Sequence, residues 1–465
     1  AEDDSEVQYF PPDYIEVDRI IATTEIQTPQ GPKRLYLVKW AGLPYAESTW
    51  ETEEDIGDDK QIQQFHKFNQ PRNMTPLPRP DPSTWQRLEK SPIYKDDTEL
   101  RAYQLEGLNW LIFNWYHQRG CILADEMGLG KTVQAIAFLD WLFRFQRIAG
   151  PFLVIVPLST IGHWRREIES WTDMNCIMYQ GTKINRMIIR EFEWYLPNSR
   201  EYKFNVLLTT YEMLMTDDWT ELSRIRWKAI VIDEAQRLKN TNSKLGINLK
   251  QFNVEHRVLL TGTPIQNSTL ELWSLLNYIA PNTFNSREEF LSQFGNLQES
   301  HQVQALHRIL KPFLLRRLKE DVEKSIPPKE ETIIEVEMTT LQKQYYRAIF
   351  ERNRSFLSKG CSAKNTPNLI NVMMQLRKVC NHPYLIKGCE ETDTKGLKSN
   401  EEYFNKLVQA SGKLILLDKL LPKLKAGGML HSITYSTLTK TLLLLNLTIG
   451  HKVLIFSQMV RILDL

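Results

Sequence analysis

Apolar and polar positions alternate with two different periods along the chain. In KRLYLVKW (33–40) the alternating Leu35 and Leu37, with Trp40 following at short spacing, predict a half-buried strand. Further on, CILA (121–124), KAIVI (228–232) and RVLL (257–260) are short unbroken apolar runs suited to fully buried strands. Between them TVQAIAFLDWLF (132–143) carries the apolar spacing of a helix. Strands that end in polar clusters and alternate with helices predict a parallel α/β sheet whose ligands sit at the C-terminal strand ends. Outside this core, DDKQIQQFHKF (58–68) reads as a short helix, and KLILLDKLLPKLKAGG (413–428) as a helix stopped by a glycine pair. PRNMTPLPRPDP, from residue 71, reads as a stiff, extended linker that separates its neighbours.

ADEMGLGKT (124–132) lies between a predicted strand and a predicted helix, the context a phosphate-binding loop requires, although Asp125 replaces the first glycine of G-x-x-x-x-G-K-[ST]. Gly128, Leu129, Gly130, Lys131 and Thr132 would present backbone N–H groups to phosphates at a helix N-terminus. Lys131 would reach the β- and γ-phosphates, and Thr132 would ligate Mg²⁺. Downstream, KAIVIDEAQ supplies Asp233 as the metal carboxylate and Glu234 to orient or deprotonate water. RVLLTGTPIQNS places Thr261, Gly262 and Thr263 at another strand end.

The 465 residues suggest about three domains. Five cysteines, Cys121, Cys176, Cys361, Cys380 and Cys389, form no CxxC pair, so reduced intracellular thiols are expected. No apolar run reaches the roughly 18 residues a membrane span needs, so a soluble protein with no membrane partner is expected. A net charge of +2 means that nucleic-acid binding would need a local basic face. A start at Ala1 and an apolar end at VRILDL suggest a fragment.

LRAYQLEGLNWL (100–111), ADEMGLGKT, VPLSTIGHW (156–164), TTYEML (209–214), DEAQ, LTGTPIQN and VLIFSQM (453–459) resemble, in order, the motifs of a superfamily 2 helicase-like ATPase of the SWI/SNF type. The resemblance implies a RecA-like lobe 1, with helices on both faces of its sheet, and the start of a second lobe. It implies ATP and Mg²⁺ as cofactors, with Lys131, Asp233 and Glu234 catalytic and Asp125 among the cofactor-binding residues. It also implies that Gln104 reads the adenine and that Ser159, Thr160, Thr210 and Tyr211 lie along duplex DNA. Most relatives read DEAH where Gln236 stands here. Glutamine can donate and accept as a neutral histidine does, so hydrolysis is expected to survive and coupling to Thr261–Thr263 is the point in question. Because arginines of the second lobe complete the ATP site in relatives, residues 1–465 alone are expected to bind nucleotide weakly and turn it over poorly.

YIEVDRIIA (14–22), KRLYLVKWAGLPYAESTWE (33–51) and the following helix resemble a chromodomain, a small α+β unit, and the combination resembles the chromodomain-helicase-DNA-binding remodellers, closest to the kismet type. The expected division is an acidic lead (1–12; Glu2, Asp3, Asp4, Glu6), a chromodomain (13–70), the linker (71–98), lobe 1 (99–315) and the start of lobe 2 (316–465). The cage positions that bind methyl-lysine in heterochromatin-type chromodomains fall on Ile15, Trp40 and Leu43, with Tyr14 one position out and Trp50 expected in the core. One ring cannot enclose a quaternary ammonium, so no binding of a methylated histone tail by this unit alone is expected. RILKPFLLRRLK (308–319) reads either as a snorkelling amphipathic helix or as an element that packs lobes or touches DNA. The implied function is a nuclear, ATP-dependent remodeller acting on duplex DNA and nucleosomes (histones). A true helicase or a non-hydrolysing chromatin scaffold are the alternatives.

One segment breaks the pattern. MLHSITYSTLTKTLLLLNLTIG (429–450) places 22 residues with a single charge, Lys440, between a helix and a strand, where about 2–6 are usual. It reads as a retained intron or a gene-model error.

Overall fold

The computed structural model describes residues 12–29, 31–72, 74–240, 243–262, 269–295, 300–324, 331–351, 371–397, 399–426, 430–434, 442–447 and 452–464. Thr263, the rest of the TPIQN segment, the acidic lead up to residue 11 and Lys440 lie outside the described residues. The chain divides into two compact bodies, Ala1–Pro327 and Pro328–Leu465.

The first body opens with a curled antiparallel sheet of β1 (Val17–Thr28), β2 (Gly31–Trp40) and β3 (Thr49–Thr52) in the order β1-β2-β3. The sheet is closed by α1 (Glu53–Ile56) and α2 (Asp59–Phe68). Asp58 caps α2 by accepting from the N–H groups of Lys60 and Gln61, and the helix buries Ile62 and Phe65 against Ile20, Tyr36 and Val38. Trp50 is 43% exposed rather than core, because it sits on β3, the edge strand of this small sheet.

Next come α3 (Ala102–Tyr116), β4 (Cys121–Leu123), α4 (Lys131–Arg144), β5 (Phe152–Val156), α5 (Ile161–Trp171), β6 (Cys176–Tyr179), α6 (Lys183–Glu193), β7 (Val206–Thr210), the short β8 (Arg226–Trp227), β9 (Ala229–Ile232), β10 (Asn253–Val254), β11 (Arg257–Leu260) and β12 (Leu314–Leu315). The main sheet has seven parallel strands in the order β12-β4-β11-β9-β5-β7-β6. Its central strands are buried on both faces, which explains why their sequences are unbroken apolar runs. Ile122, Leu153, Ile155, Ile230, Ile232 and Leu259 face helices 244–250 and 269–279. Their neighbours Leu123, Phe152, Val154, Val231, Val258 and Leu260 face α3, α4 and α5. This is the doubly covered parallel sheet expected from the sequence.

Two expectations are corrected here. Residues 71–98 do not stand apart as a spacer; they are strapped onto the α/β body. Leu77 N–H donates to the Gln146 carbonyl at 3.0 Å, the Asn109 amide exchanges hydrogen bonds with the Leu88 backbone at 2.7 and 3.0 Å, and the Trp85 and Phe113 rings meet edge to face at 5.1 Å. Prolines fix extended backbone whose free polar groups then pair with whatever surface they cross. The α/β body also continues past residue 315 to Pro327. RILKPFLLRRLK is a helix only to Leu310 and then supplies the edge strand β12.

In the second body, helices Thr340–Phe350, Val372–Asn381, Asn400–Ala410 and Gly412–Ala426 are grouped with a core of Tyr345, Ile349, Leu376, Val379, Tyr384 and Leu407. NHPYL is buried in its core: His382 accepts the Tyr384 N–H at Nδ1, 3.1 Å, which leaves Nε2 to donate to the Leu407 carbonyl at 2.9 Å. The anomalous segment contributes β13 (Leu430–Thr434) and β14 (Leu442–Leu447), which pair antiparallel with β15 (Lys452–Phe456) in the order β13-β14-β15. β15, which carries the motif that the resemblance assigns to the start of a second lobe, is therefore an antiparallel edge strand.

Candidate nucleotide site

The glycine loop leaves β4 at its C-terminal end and returns into α4 at Lys131. Gly128 and Gly130 take φ of +90° and +76°, values that L side chains disfavour. A Cβ on Gly130 would stand 2.5 Å from Gln104 Nε2, and one on Gly262 would stand 2.8 Å from Met127 Cγ. The positive φ favours glycine at 128 and 130, and the side chains of Gln104 and Met127 pack directly against Gly130 and Gly262. Lys131 lies half-buried at the loop's mouth with its ammonium donating to the Asp125 carbonyl at 2.8 Å. Burial holds its pKa below the ordinary lysine value, while Asp233, Glu234 and Asp125 pull it back up. Thr132 follows, half-buried, in the first turn of α4.

Asp125 does not face outward from the loop. Its carboxylate is wholly buried and receives Arg317 Nε at 3.1 Å and Nη2 at 2.5 Å, the Arg317 backbone N–H at 3.1 Å and the Gln134 amide at 3.2 Å. Arg317 also donates to the Tyr103 carbonyl and, at 2.9 Å, to Gln134 Oε1. Asp125 is therefore a clamp beneath the loop and not a nucleotide ligand. The substitution that makes the motif look irregular anchors a buried guanidinium, which needs such a partner. The sequence placed Arg317 in the RILKPFLLRRLK element, read as a snorkelling helix or as one that packs lobes or touches DNA; its buried partner Asp125 was not foreseen.

The second carboxylate pair stands at the end of β9. Asp233 Oδ2 accepts the indole N–H of buried Trp164 at 2.9 Å, and Oδ1 accepts the Glu234 N–H at 2.9 Å. Burial pushes the Asp233 pKa up, and the Trp164 hydrogen bond opposes the shift. Glu234 is held in the left-handed region at φ +51°, a strained turn for a side-chain-bearing residue. Gln236 Nε2 then donates to Glu234 Oε2 at 2.6 Å, and Thr261 Oγ1 donates to Gln236 Oε1 at 3.0 Å. Glutamine thus bridges the Glu234 carboxylate to the LTG segment by using both halves of its amide, at the point where the sequence left coupling in question.

Gln104 is nearly buried, with Oε1 accepting the Arg101 N–H at 3.0 Å and Nε2 directed at the Leu129 carbonyl at 3.4 Å. It lines the loop itself. Of the four residues expected along DNA, Ser159 is exposed and Thr160 half-buried, its hydroxyl on the Pro157 carbonyl at 3.1 Å. Thr210 and Tyr211 are only 2% and 1% exposed, which closes them to a duplex. The Tyr211 hydroxyl donates to the backbone carbonyls of Asp233 and Glu234, so this tyrosine supports the strained acidic turn.

The chromodomain-like sheet is joined to this body by buried charges. Arg19 Nε lies 2.8 Å from Glu193, whose other contacts are the Tyr45 hydroxyl at 3.1 Å and Lys203 at 3.8 Å. Asp18 is bound by Arg165 at 2.5 Å and Lys39 at 2.7 Å. Among the presumptive cage positions Ile15 is 77% exposed, and Trp40 bonds through its indole N–H to Thr49 at 2.9 Å.

Comparison with known proteins fits this geometry. The SNF2-related domain family matches residues 103–385, from the Gln104 helix past the acidic turn to the NHPYL segment. The chain belongs to the SNF2-related domain family. Ahead of that domain, the Chromo (CHRromatin Organisation MOdifier) family matches residues 15–68. Chromodomain-helicase-DNA-binding protein 6 of Rattus norvegicus is 51% identical over 470 residues, covering 98% of this chain and 16% of that protein. Protein 8 of the same series from Xenopus tropicalis is 51% identical over 472 residues, covering 98% of this chain and 20% of that protein. Protein 9 from Homo sapiens is 50% identical over 477 residues, covering 99% and 16%. The chain thus spans 16–20% of the length of these relatives. A solved SWI2/SNF2 ATPase core from Sulfolobus solfataricus, in complex with dsDNA, is 30% identical with a TM-score of 0.46, covering 74% of this chain and 68% of that one. The SNF2-related domain here is built on a parallel sheet and is preceded by a chromodomain. Among the described residues no helix is long and apolar enough to cross a membrane.

Proposed function

We propose that the chain is the motor region of a nuclear, ATP-dependent chromatin remodeller, which hydrolyses ATP to move along duplex DNA and shift it on histones. The carrying observation is the hydrogen-bonded series Glu234–Gln236–Thr261 at the mouth of the Lys131 loop, because it links a water-orienting carboxylate to a neighbouring strand end. In this reading Lys131 and the loop N–H groups bind the β- and γ-phosphates, and Thr132 with Asp233 would hold Mg²⁺. The donor set fits such a group: the Thr132 hydroxyl at the N-terminus of α4 and the Asp233 carboxylate are hard oxygen ligands, and the Lys131 ammonium is a cation, of the kind a magnesium polyphosphate takes. Bound there, Mg²⁺ would neutralise charge on the phosphates. Trp164 and the Glu234 N–H fix both oxygens of Asp233, and Glu234 would accept the proton of the attacking water. Gln236 would report the state of Glu234 to Thr261 and Gly262. Ser159 and Thr160, at the start of α5, remain open to a DNA backbone.

The names of the relatives support a chromatin and DNA substrate. The scaffold alternative is disfavoured by the presence of Lys131, Asp233 and Glu234 in one cluster. The test is ATP hydrolysis by the full-length protein with no ligand, naked duplex or nucleosomes, beside strand displacement on a forked duplex. Greatest stimulation by nucleosomes, with no displacement, is expected. A flat response despite nucleotide binding would favour the scaffold, and displacement would favour a helicase.

A further inference from the structure

The segment after β12 does more than close the sheet. Parallel pairing begun between β12 and β4 continues beyond both strands: N–H groups of Ile122, Ala124 and Glu126 donate in turn to the carbonyls of Phe313, Leu315 and Arg317 at 2.7, 2.7 and 3.0 Å. The ladder therefore runs onto the glycine loop itself. Arg317 is locked to Asp125 as described, and the Lys319 N–H donates to Glu126 Oε2 at 2.8 Å. Glu323 then pairs with Arg101, the residue that caps the Gln104 helix. Residues 317–323 are thus stitched along the loop at three points.

This registration delivers the Lys319 side chain to Gly128. A Cβ placed on Gly128 would stand 3.1 Å from both Cε and Nζ of Lys319. The ammonium lies close enough to Lys131 for the two charges to repel. No carboxylate lies within 4.0 Å of Lys319 Nζ among the described residues, in contrast to Arg317 beside it. Two cations flanking one glycine loop, with the backbone of both fixed, are unfavourable until an anion lies between them.

We propose that Lys319 is a second phosphate-binding lysine, delivered in cis by the segment that follows β12, which grips the polyphosphate of a nucleotide from the Gly128 side opposite Lys131. The proposal rests on the nucleotide reading of the site and adds a ligand that the glycine-loop motif does not contain. The bound phosphate oxygens would accept N–H bonds from both ammonium groups, relieving their mutual repulsion. The short chain between Arg317 and Lys319 makes the position sensitive to register: Arg317 holds the ladder, and Lys319 uses it.

The experiment is a fluorescence competition titration of Mg²⁺-free and Mg²⁺-bound ATP against the chain and three variants, Lys319→Gln, Lys319→Arg and Lys131→Met, with melting temperatures recorded for each. A charge-assisted hydrogen bond to phosphate predicts about tenfold or greater weakening for Lys319→Gln. Lys319→Arg should recover most of the affinity, and neither Lys319 variant should move the melting temperature, since the side chain has no carboxylate partner to lose. Affinity unchanged in Lys319→Gln but lost in Lys131→Met overturns the proposal and leaves the nucleotide site standing. Affinity unchanged in both variants overturns the nucleotide reading and the proposal together.

Discussion

Two clusters of buried charge lie in the same body and are built on opposite principles. At the seam between chromodomain and SNF2-related domain every charge is closed: Glu193 serves Arg19, Tyr45 and Lys203, and the Lys203 ammonium also donates to the carbonyls of Ile21 and Phe192 at 3.2 Å each. At the glycine loop the clamp beneath is equally closed, Asp125 on Arg317, but above it Lys131 and Lys319 both flank the glycine loop and burial pushes the Asp233 pKa up. A charge cluster that is complete without a ligand holds two units together; one that is incomplete is poised for a ligand. The seam should therefore respond to substitution in stability, and the loop in binding.

Glu193→Ala is the most severe test of that division. Removing one partner of a buried pair strands the others, at a cost of about 3–5 kcal/mol. The chromodomain is expected to release from the lobe, with faster proteolysis in residues 71–98 and a lowered melting temperature, while ATP affinity changes little. A drop in affinity as large as the drop in stability would erase the distinction. Lys131→Met should behave in the reverse sense, losing about 10²–10³-fold in turnover by the full-length protein with an unchanged melting temperature, the scale of losing one charge-stabilising donor.

Acid should separate the clusters next. Burial alone would raise the Asp18 carboxyl, but Arg165 and Lys39 outweigh it and hold it down at about 2 against an ordinary 3.8. A carboxylate depressed on folding contributes stability that is present above its unfolded pKa and lost as pH falls through the folded one. The seam should thus weaken between about pH 4 and pH 2, by about 2 kcal/mol for this group. Asp18→Asn should flatten that part of the stability profile. Asp233 carries the opposite sign: its pKa is raised, so its burial costs stability once it ionises. An acid profile unchanged by Asp18→Asn would show that the seam charges are not linked to folding.

Much of this organisation was legible in the sequence. Unbroken apolar runs gave the strands, glycines after β4 gave the loop, and the carboxylates after β9 gave Asp233 and Glu234, because each depends on neighbours a few residues away. What was not legible depends on long-range pairing. Arg317 meets Asp125 across 192 residues, Arg19 meets Asn175 across 156, and Trp164 meets Asp233 across 69. The family resemblance put Tyr211 along DNA, yet the acidic turn folds over it and captures its hydroxyl. The 71–98 segment read as a spacer because proline content reports backbone stiffness and not what the backbone lies against.

The smallest expected effect falls where the two clusters come closest. α5 carries Arg165, which grips Asp18 of the chromodomain, and beside it Trp164, which grips Asp233. One helix therefore touches both the closed cluster and the open one. Trp164→Phe keeps an aromatic ring in the core but removes the N–H, leaving Asp233 Oδ2 without its donor. The carboxylate then gains freedom to rotate away from the metal position, so the Mg²⁺ concentration for half-maximal ATP hydrolysis by the full-length protein should rise about tenfold, the scale of one hydrogen bond to a charged group. Turnover at saturating Mg²⁺ should fall much less, because Glu234 and Lys131 are untouched. If α5 transmits strain between the clusters, Asp18→Asn should shift the Mg²⁺ requirement in the same direction though by less. If Asp18→Asn shifts stability alone, the two clusters are mechanically separate despite sharing a helix, and the seam only holds the chromodomain in place.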